Sequence, residues 1–388
     1  MGLWLAGSSR AVREFCSAIE RNLASIGLTP QRMKCEIVPP ARDRHTVPAQ
    51  TFDGFKFNSS GDFKLLGAPF GSTDFCTEHT RKRKQKAQEL LDKLSALHDP
   101  QAALLLLRHC ASFCKLSNSI RAVPPSLHRA ALQEFSSDIH SALDQIVGAE
   151  VDDRGWGQAK LGIKAGGLGL RGIDEHASAA FVASLGSVKD FCITPSFDTL
   201  DSNRHLLLQE AKEDLYARVL PDAVLELDDV TYRQKRYSGL FDAKSRHDLT
   251  QHPNADASFQ AHLALQGLPG AGAWLTAPPS DDAREVDPIL FRIAVKRRLR
   301  LRVQICDSFC PMCGSTMDSF GDHALVCQCN GDRTLRHNAL RNCVHADAVR
   351  GNMSPEREKA GFVASAPGWL PPSRCLPSER HTRWVDGS

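Results

Sequence analysis

Cys310-Pro-Met-Cys313, then nine residues to His323 and three more to Cys327, gives the spacing C-x2-C-x9-H-x3-C. Three thiolates and an imidazole on two tight turns are a ligand set that tetrahedral zinc takes, and four protein ligands leave no open position for catalysis. Zinc held in this way is structural, and a segment this short depends on its metal to fold. Gly314 and Gly321 permit the backbone bends that aim the ligands inward. Of the 13 cysteines, Cys306, Cys310, Cys313, Cys327 and Cys329 crowd into one stretch, which in a reducing compartment favours metal over disulfide. Cys306 and Cys329 are reserve ligands, and the plain alternative is a set of ordinary thiols. Such sites hold nucleic acid at least as often as protein, so the metal alone names no partner.

Two basic clusters could neutralise a phosphate backbone: Arg81, Lys82, Arg83, Lys84 and Lys86 at one helix start, and Lys296, Arg297, Arg298, Arg300 and Arg302 before the cysteines. The alternative for each is a solvated helix face. The second gains weight from Arg333, Arg336 and His337 just past the zinc ligands. If zinc fixes the turns between them, the residues from Lys296 to His337 are expected to form one positive surface. Two other patterns carry no chemistry. Gly167-Leu-Gly169-Leu-Arg-Gly172 fits G-x-G-x-x-G with Asp190 near ribose-binding distance, but no buried strand precedes it and helices lie upstream, so a dinucleotide site is rejected. Asp228-Asp229 follows Glu226 on a polar stretch and reads as solvated acids rather than a metal pair.

The elements that must position these residues are mostly helices. Leu3 to Ala6 reads as a strand; Ser9 could cap a helix through Val12, Phe15, Cys16, Ile19 and Leu23, ended by Gly27; short strands are expected at 34–38 and 63–66. From Thr77 amphipathic helices follow, with Leu90, Leu91, Leu94 and Leu97 on one face, Leu104 to Leu107 with Cys110 and Phe113 on the next, and a third from Leu127 to Ile146 after Pro124 and Pro125. A Gly-rich segment at 162–172 precedes an Ala-rich helix capped by Asp174. Residues 241–285 are rich in Gly, Pro, Asp and Ser and read as a loose connection, a short basic helix is expected at 288–302, and recurrent prolines beyond Met353 mark a poorly ordered tail. The fold class is therefore mainly α with a small α/β amino-terminal portion.

At 388 residues, 42% hydrophobic and 24% charged, the chain has room for two or three cores. A net charge of +3 does not itself argue for nucleic acid. With no apolar run near the ~20 residues that cross a bilayer and no secretory leader, the expectation is an intracellular protein, nuclear or cytoplasmic, without a membrane partner.

In this order the motifs resemble the distal part of reverse transcriptases of non-long-terminal-repeat retrotransposons that carry a restriction-like endonuclease. Gly2 to Ser8 looks like the strand leaving the family's Tyr-x-Asp-Asp hairpin. Gly27-Leu28 with Lys34-Cys35-Glu36 matches its next element, and Leu66-Gly67-Ala68-Pro69-Phe70-Gly71 resembles its primer-grip turn. The following helices look like a thumb, and Gly166-Gly167-Leu168-Gly169-Leu170-Arg171 like a glycine-rich signature beyond it. Trp274-Leu275, Phe291-Arg292, the zinc ligands, Gly321-Asp322-His323 and Arg336-His337-Asn338 then recur in the family's order.

The resemblance implies a palm remnant over 1–75, a helical thumb over 76–240, a linker over 241–285, a basic helix and zinc segment over 286–350, and a truncated endonuclease region over 351–388. It implies RNA or DNA as partner, and magnesium only for an intact polymerase. The family's catalytic aspartates would lie before Met1, so no catalytic residue is assigned; two-metal phosphoryl transfer needs them. Pro30 replaces the family's usual Leu on the approach to Lys34, and after Glu358-Lys359-Ala360-Gly361 neither a Pro-Asp nor an acid-x-Lys triplet of a nuclease appears. The expected function is a nucleic-acid-binding reverse transcriptase fragment, inactive by itself. Alternatives are a stand-alone zinc-dependent nucleic-acid-binding or adaptor protein, and a polymerase whose reading frame begins further upstream.

Overall fold

Ser8 lies in extended backbone and its hydroxyl accepts the Ala11 N–H, which starts α1 (Ser9–Ser25) one residue before the expected cap. Gly27, at φ +77°, ends it. The computed structural model describes residues 5–39, 52–188, 202–224, 234–252, 255–280, 284–329 and 331–357. The expected strand through Leu3 and Trp4, Asp190, the Asp228-Asp229 pair and the tail beyond residue 357 lie outside them. Two short strands follow α1, β1 (Glu36–Ile37) and β2 (Lys56–Phe57), paired in parallel.

β3 (Phe63–Leu65) and β4 (Ala68–Phe70) form an antiparallel hairpin. Its two-residue turn, Leu66-Gly67, has φ +49° and +84°, the positive pair that matches strand twist. The turn is tied down by the Asn118 amide donating to Leu66 O (3.1 Å) and the Arg83 guanidinium donating to Gly67 O (3.3 Å). Asp62 accepts the Ser72 N–H at 2.7 Å, and a Cβ on Gly71 would lie 2.1 Å from that carboxylate, so only glycine passes there.

Ser72 caps α2 (Thr73–Ser95), which therefore begins a turn earlier than the Thr77 expected from the apolar spacing. Asp99 and Pro100 start α3 (Pro100–Leu106), continued by a π-turn at Leu107–Ala111 and a 3-10 turn at Phe113–Lys115. α4 (Ser117–Ala122) stops before Pro124, and α5 (Arg129–Val147) ends at Gly148, φ +66°. α6 (Asp153–Lys160) leads into the Gly-rich segment, followed by α7 (Ile173–Val188) with Asp174 in its first turn rather than at its cap. α8 (Ser202–Ala217), α9 (Gln234–Gln251), α10 (Ala257–Gln266) and α11 (Pro288–Arg298) follow. The mainly helical expectation holds.

Leu91 and Leu94 of α2, Leu104 and Leu107, and Leu132, Phe135, Ile139 and Leu143 of α5 close one core with Leu168, Leu170, Leu275, Phe291 and Val295. Phe181 and Val182 pack with Leu215, Tyr237 and Phe241 in a second, and Leu161 with Phe259 and Leu263 in a third. Residues 241–285 are thus not a loose connection. Their polar and Gly-Pro composition hides four widely spaced apolar residues, Phe241, Phe259, Leu263 and Leu275, all of them buried. Sparse anchors at helical positions suffice when each meets a preformed hydrophobic face.

The chain divides into two compact units, 1–301 and 302–388. The basic helix α11 belongs to the first and the cysteines to the second, which separates what the sequence pattern joins over 286–350. In the second unit β5 (Ser308–Phe309) pairs antiparallel with β6 (Thr316–Met317), followed by α12 (Asp322–Val326) and α13 (Asp332–Arg350). No helix among the described residues is long and apolar enough to cross a membrane.

Candidate metal centre and basic surfaces

The β5–β6 hairpin delivers the first two ligands. Cys310 N–H donates to Ser315 O at 2.8 Å and Gly314 N–H to Cys310 O at 2.9 Å, a tight turn that brings Cys310 and Cys313 to one side. Gly314 sits at φ +73°, and a Cβ there would meet nothing within 4 Å, so conformation rather than space requires glycine. Gly321, φ +74°, reverses the chain into α12. His323 lies on that helix and Cys327 at its end, where its N–H donates to His323 O at 2.8 Å. The Asp318 carboxylate accepts three backbone N–H groups, from Phe320 (3.0 Å), Asp322 (3.0 Å) and His323 (2.8 Å), and so fixes the helix relative to the hairpin. Those bonds to its charged form hold Asp318 below the usual carboxylate range against a desolvation that opposes them. Sequence reasoning missed Asp318; its position five residues before His323 was the available signal.

The ligand atoms of Cys310, Cys313, His323 and Cys327 all lie within 4.8 Å of one another. Cys310 Sγ and Cys327 Sγ are 3.8 Å apart, and Cys313 Sγ and His323 Nε2 3.2 Å. A tetrahedron with Zn–S bonds of about 2.3 Å has an S···S edge of about 3.8 Å, so the cage has the size of a zinc ion. Cys310 and Cys327 are each 4% exposed. Hydrogen bonds from the Ser315 side chain and backbone draw the Cys313 thiol down to about 6, towards the thiolate that a metal needs. This cluster can therefore bind zinc. Cys306 and Cys329, the reserve candidates, are exposed and outside the cluster.

Within α11 and α2 several of the basic residues are turned inward or already paired. Arg298 is 2% exposed, and its guanidinium donates to Gly167 O (3.0 Å), Ile163 O (3.0 Å), Ala271 O (3.3 Å) and Gln266 Oε1 (2.8 Å). Burial pulls its pKa down to about 10. It is a structural cation, unreachable by a phosphate, because helix spacing turns it inward with Phe291 and Val295. Lys296 is half-buried and donates to Gly148 O, and Arg297 follows it, also half-buried. On α2, Arg81 forms a fork to Glu134 (2.7 Å), Lys84 reaches Glu134 and Asp138, Lys82 pairs with Glu78, and Arg83 holds the hairpin turn, while Lys86 is exposed. Arg333 is exposed at the start of α13, and Arg336 donates to Leu325 O.

The Gly-rich segment is a packing junction. A Cβ on Gly167 would stand 2.2 Å from Leu161 O and 2.4 Å from Gln158 O, so the glycine allows backbone to touch backbone. Arg108 donates to Leu168 O and Leu275 O, Gln158 to Gly166 O, and Arg171 pairs with Asp242. The Gly167, Leu168, Gly169 and Leu170 N–H groups, the kind of donor a pyrophosphate would need, donate instead to the carbonyls of Gly162, Ala159 and Leu161. No protein-family model matches the chain, and no curated protein or solved structure does.

Proposed function

We propose that this chain is a retroelement-derived fragment of a reverse transcriptase of the non-long-terminal-repeat, restriction-like-endonuclease type. It comprises the end of a palm, a helical thumb and a structural zinc module, and it binds single-stranded RNA or DNA. The observation that carries the reading is the convergence of Cys310, Cys313, His323 and Cys327, whose ligand atoms lie within 4.8 Å of one another; the resemblance in motif order supports the rest. The hairpin turn at Leu66-Gly67, followed at once by α2, lends the primer-grip resemblance further support. No Tyr-x-Asp-Asp occurs in the 388 residues, so polymerisation by this chain alone is not part of the proposal. Zinc would act by fixing the turns from which the module's arginines project, not by activating water.

Purified without chelator, the chain is expected to carry one equivalent of zinc, to bind single-stranded RNA, and to extend no primer on a template with magnesium and deoxynucleotides. Absence of zinc would overturn the metal assignment. Template-dependent extension abolished by mutating an acid of this chain would overturn the fragment reading. A second reading, a stand-alone zinc-dependent adaptor, is favoured by the ion pairs that occupy Arg81 and Lys84 and by the burial of Arg298, which remove cations from the surface. It requires that Cys313→Ser lose zinc while RNA affinity stays unchanged.

A further inference from the structure

The three thiols of the cage differ in how far solvent reaches them. Cys310 and Cys327 are each 4% exposed, whereas Cys313 is half-buried on the turn closed by the Cys310–Ser315 and Gly314–Cys310 backbone bonds. Zinc would keep all three as thiolates, the form that attacks an oxidant. Oxidant-sensing cysteines combine thiolate character and solvent access with a second thiol close enough to resolve the oxidised one. Cys313 has all three properties, because Cys310 and Cys327 stand within 4.8 Å of it. Cys110, Cys114, Cys306, Cys329 and Cys343 are more exposed, but none of them belongs to a metal-capable cluster among the described residues that would hold it as a thiolate.

The construction of the module sets what oxidation would do. Among its described residues only Cys310, Cys327 and Ser319 are buried, so no apolar core remains to hold the hairpin and α12 together once the ligands let go of the metal. We infer that the Cys310, Cys313, His323 and Cys327 centre is a peroxide-responsive switch, in which oxidation of Cys313 releases zinc and unfolds the second unit. This rests on the zinc assignment above. The Cys313 thiolate attacks one oxygen of hydrogen peroxide; the O–O bond breaks, hydroxide leaves, and the sulfur, oxidised by two electrons, becomes a sulfenic acid. The thiolate of Cys310 or Cys327 then attacks that sulfur, an S–S bond forms, the S–O bond breaks and a second hydroxide leaves. Two thiolates, one peroxide and two protons thus give one disulfide and two waters. Two ligands are lost together, and a dithiol reductant with fresh zinc restores them.

Hydrogen peroxide added to the full zinc-loaded chain, with a zinc-sensitive dye in solution, tests the switch. Zinc release is expected to rise with peroxide, to be undone by dithiothreitol with added zinc, and to coincide with a disulfide joining Cys313 to Cys310 or Cys327 in mass spectra of the alkylated digest. Hydrogen-exchange protection should vanish at the Cys310, Ser319 and Cys327 amides and persist in α5. Cys313→His keeps four ligands of types that zinc accepts, and should hold zinc against the same dose; if that variant takes up no zinc, the disulfide mapped in the native chain decides. Joint replacement Cys306→Ser and Cys329→Ser should leave release as in the native chain. Zinc retained at a dose that already oxidises the exposed Cys110 overturns the switch, as does release accompanied only by sulfinic or sulfonic Cys313, which dithiothreitol does not reverse. Release abolished by the joint replacement would give the first attack to the outer thiols and overturn the assignment to Cys313. A chain purified without zinc overturns the metal assignment itself, an outcome distinct from zinc that is bound and not released.

Discussion

The two units of this chain are held together by different physics. In residues 1–301, Leu104, Leu132, Phe135 and Leu143 are fully removed from water among helices that bury one another. In the described part of 302–388 the buried residues are Cys310, Cys327 and Ser319, two of them metal-capable. A unit with so little apolar burial cannot offset its conformational entropy by the hydrophobic effect. The first should fail by loss of a buried partner or by charging of its buried histidines, and the second by loss of metal.

The largest expected effect is therefore chelation. Apparent zinc affinities in structural sites are worth about 10 kcal/mol or more of folding free energy. A strong chelator, or Cys313→Ser, should abolish hydrogen-exchange protection at the Cys310, Ser319 and Cys327 amides and leave that of α5 intact. Loss of protection in α5 as well would erase the contrast between the units.

Acid should strip zinc from the second unit by protonating its thiolates, and it should also act on the first unit by a separate route. His128 and His176 are buried, and desolvation drives each down to about 4. His128 meets Thr80 Oγ1 at 3.0 Å, and His176 meets Gly172 O at 3.0 Å between the rings of Phe113 and Phe241. Their folded values lie below the unfolded one of about 6.5, so the unfolded chain binds more protons. Stability is complete above that pH and falls as pH drops towards 4, by up to about 3 kcal/mol per histidine. Urea midpoints followed through α7 exchange between neutral pH and pH 4 should shift accordingly, and His176→Gln should flatten the slope. A pH-independent midpoint would mean that neither histidine is held neutral by burial.

Arg298→Met sharpens the comparison by removing a polar joint from the first unit. The carbonyls of Gly167, Ile163 and Ala271 would lose their donor inside the fold, a cost of about 3 kcal/mol. RNA affinity should not change. A variant of native stability that binds RNA weakly would return Arg298 to the proposed nucleic-acid surface, against its burial.

What the sequence disclosed follows the same division. The zinc ligands were legible because coordination chemistry fixes residue type and spacing within one short segment, and the long helices because Leu90 to Leu97 and Leu132 to Ile146 repeat at helical intervals. The helices α9 and α10 were not, because each is anchored by one or two aromatic or leucine contacts whose partners, such as Phe181 and Leu161, lie far away in sequence. Arg298 was misread for a related reason. Five cations in seven residues look like one basic face, yet only Lys296, Arg297 and Arg298 lie on the helix, and its period turns Arg298 inward.

The smallest effect concerns the α2 cluster. Glu134 accepts a fork from Arg81 and approaches Lys84, and the Arg81 hydrogen bonds hold its carboxyl below the usual range. The side chains of this pair are 47% and 36% exposed, so solvent screening leaves it worth little. Yet Glu134 competes with any phosphate for both cations. Glu134→Gln should lower stability only slightly. If α2 faces the nucleic acid, RNA affinity should rise about two- to threefold at low salt, with a steeper salt dependence, because released cations displace additional counterions. If α2 presents only a solvated face, stability will shift and affinity will not, and nucleic-acid contact would then have to lie elsewhere, the zinc module being the nearest test through Arg333→Gln.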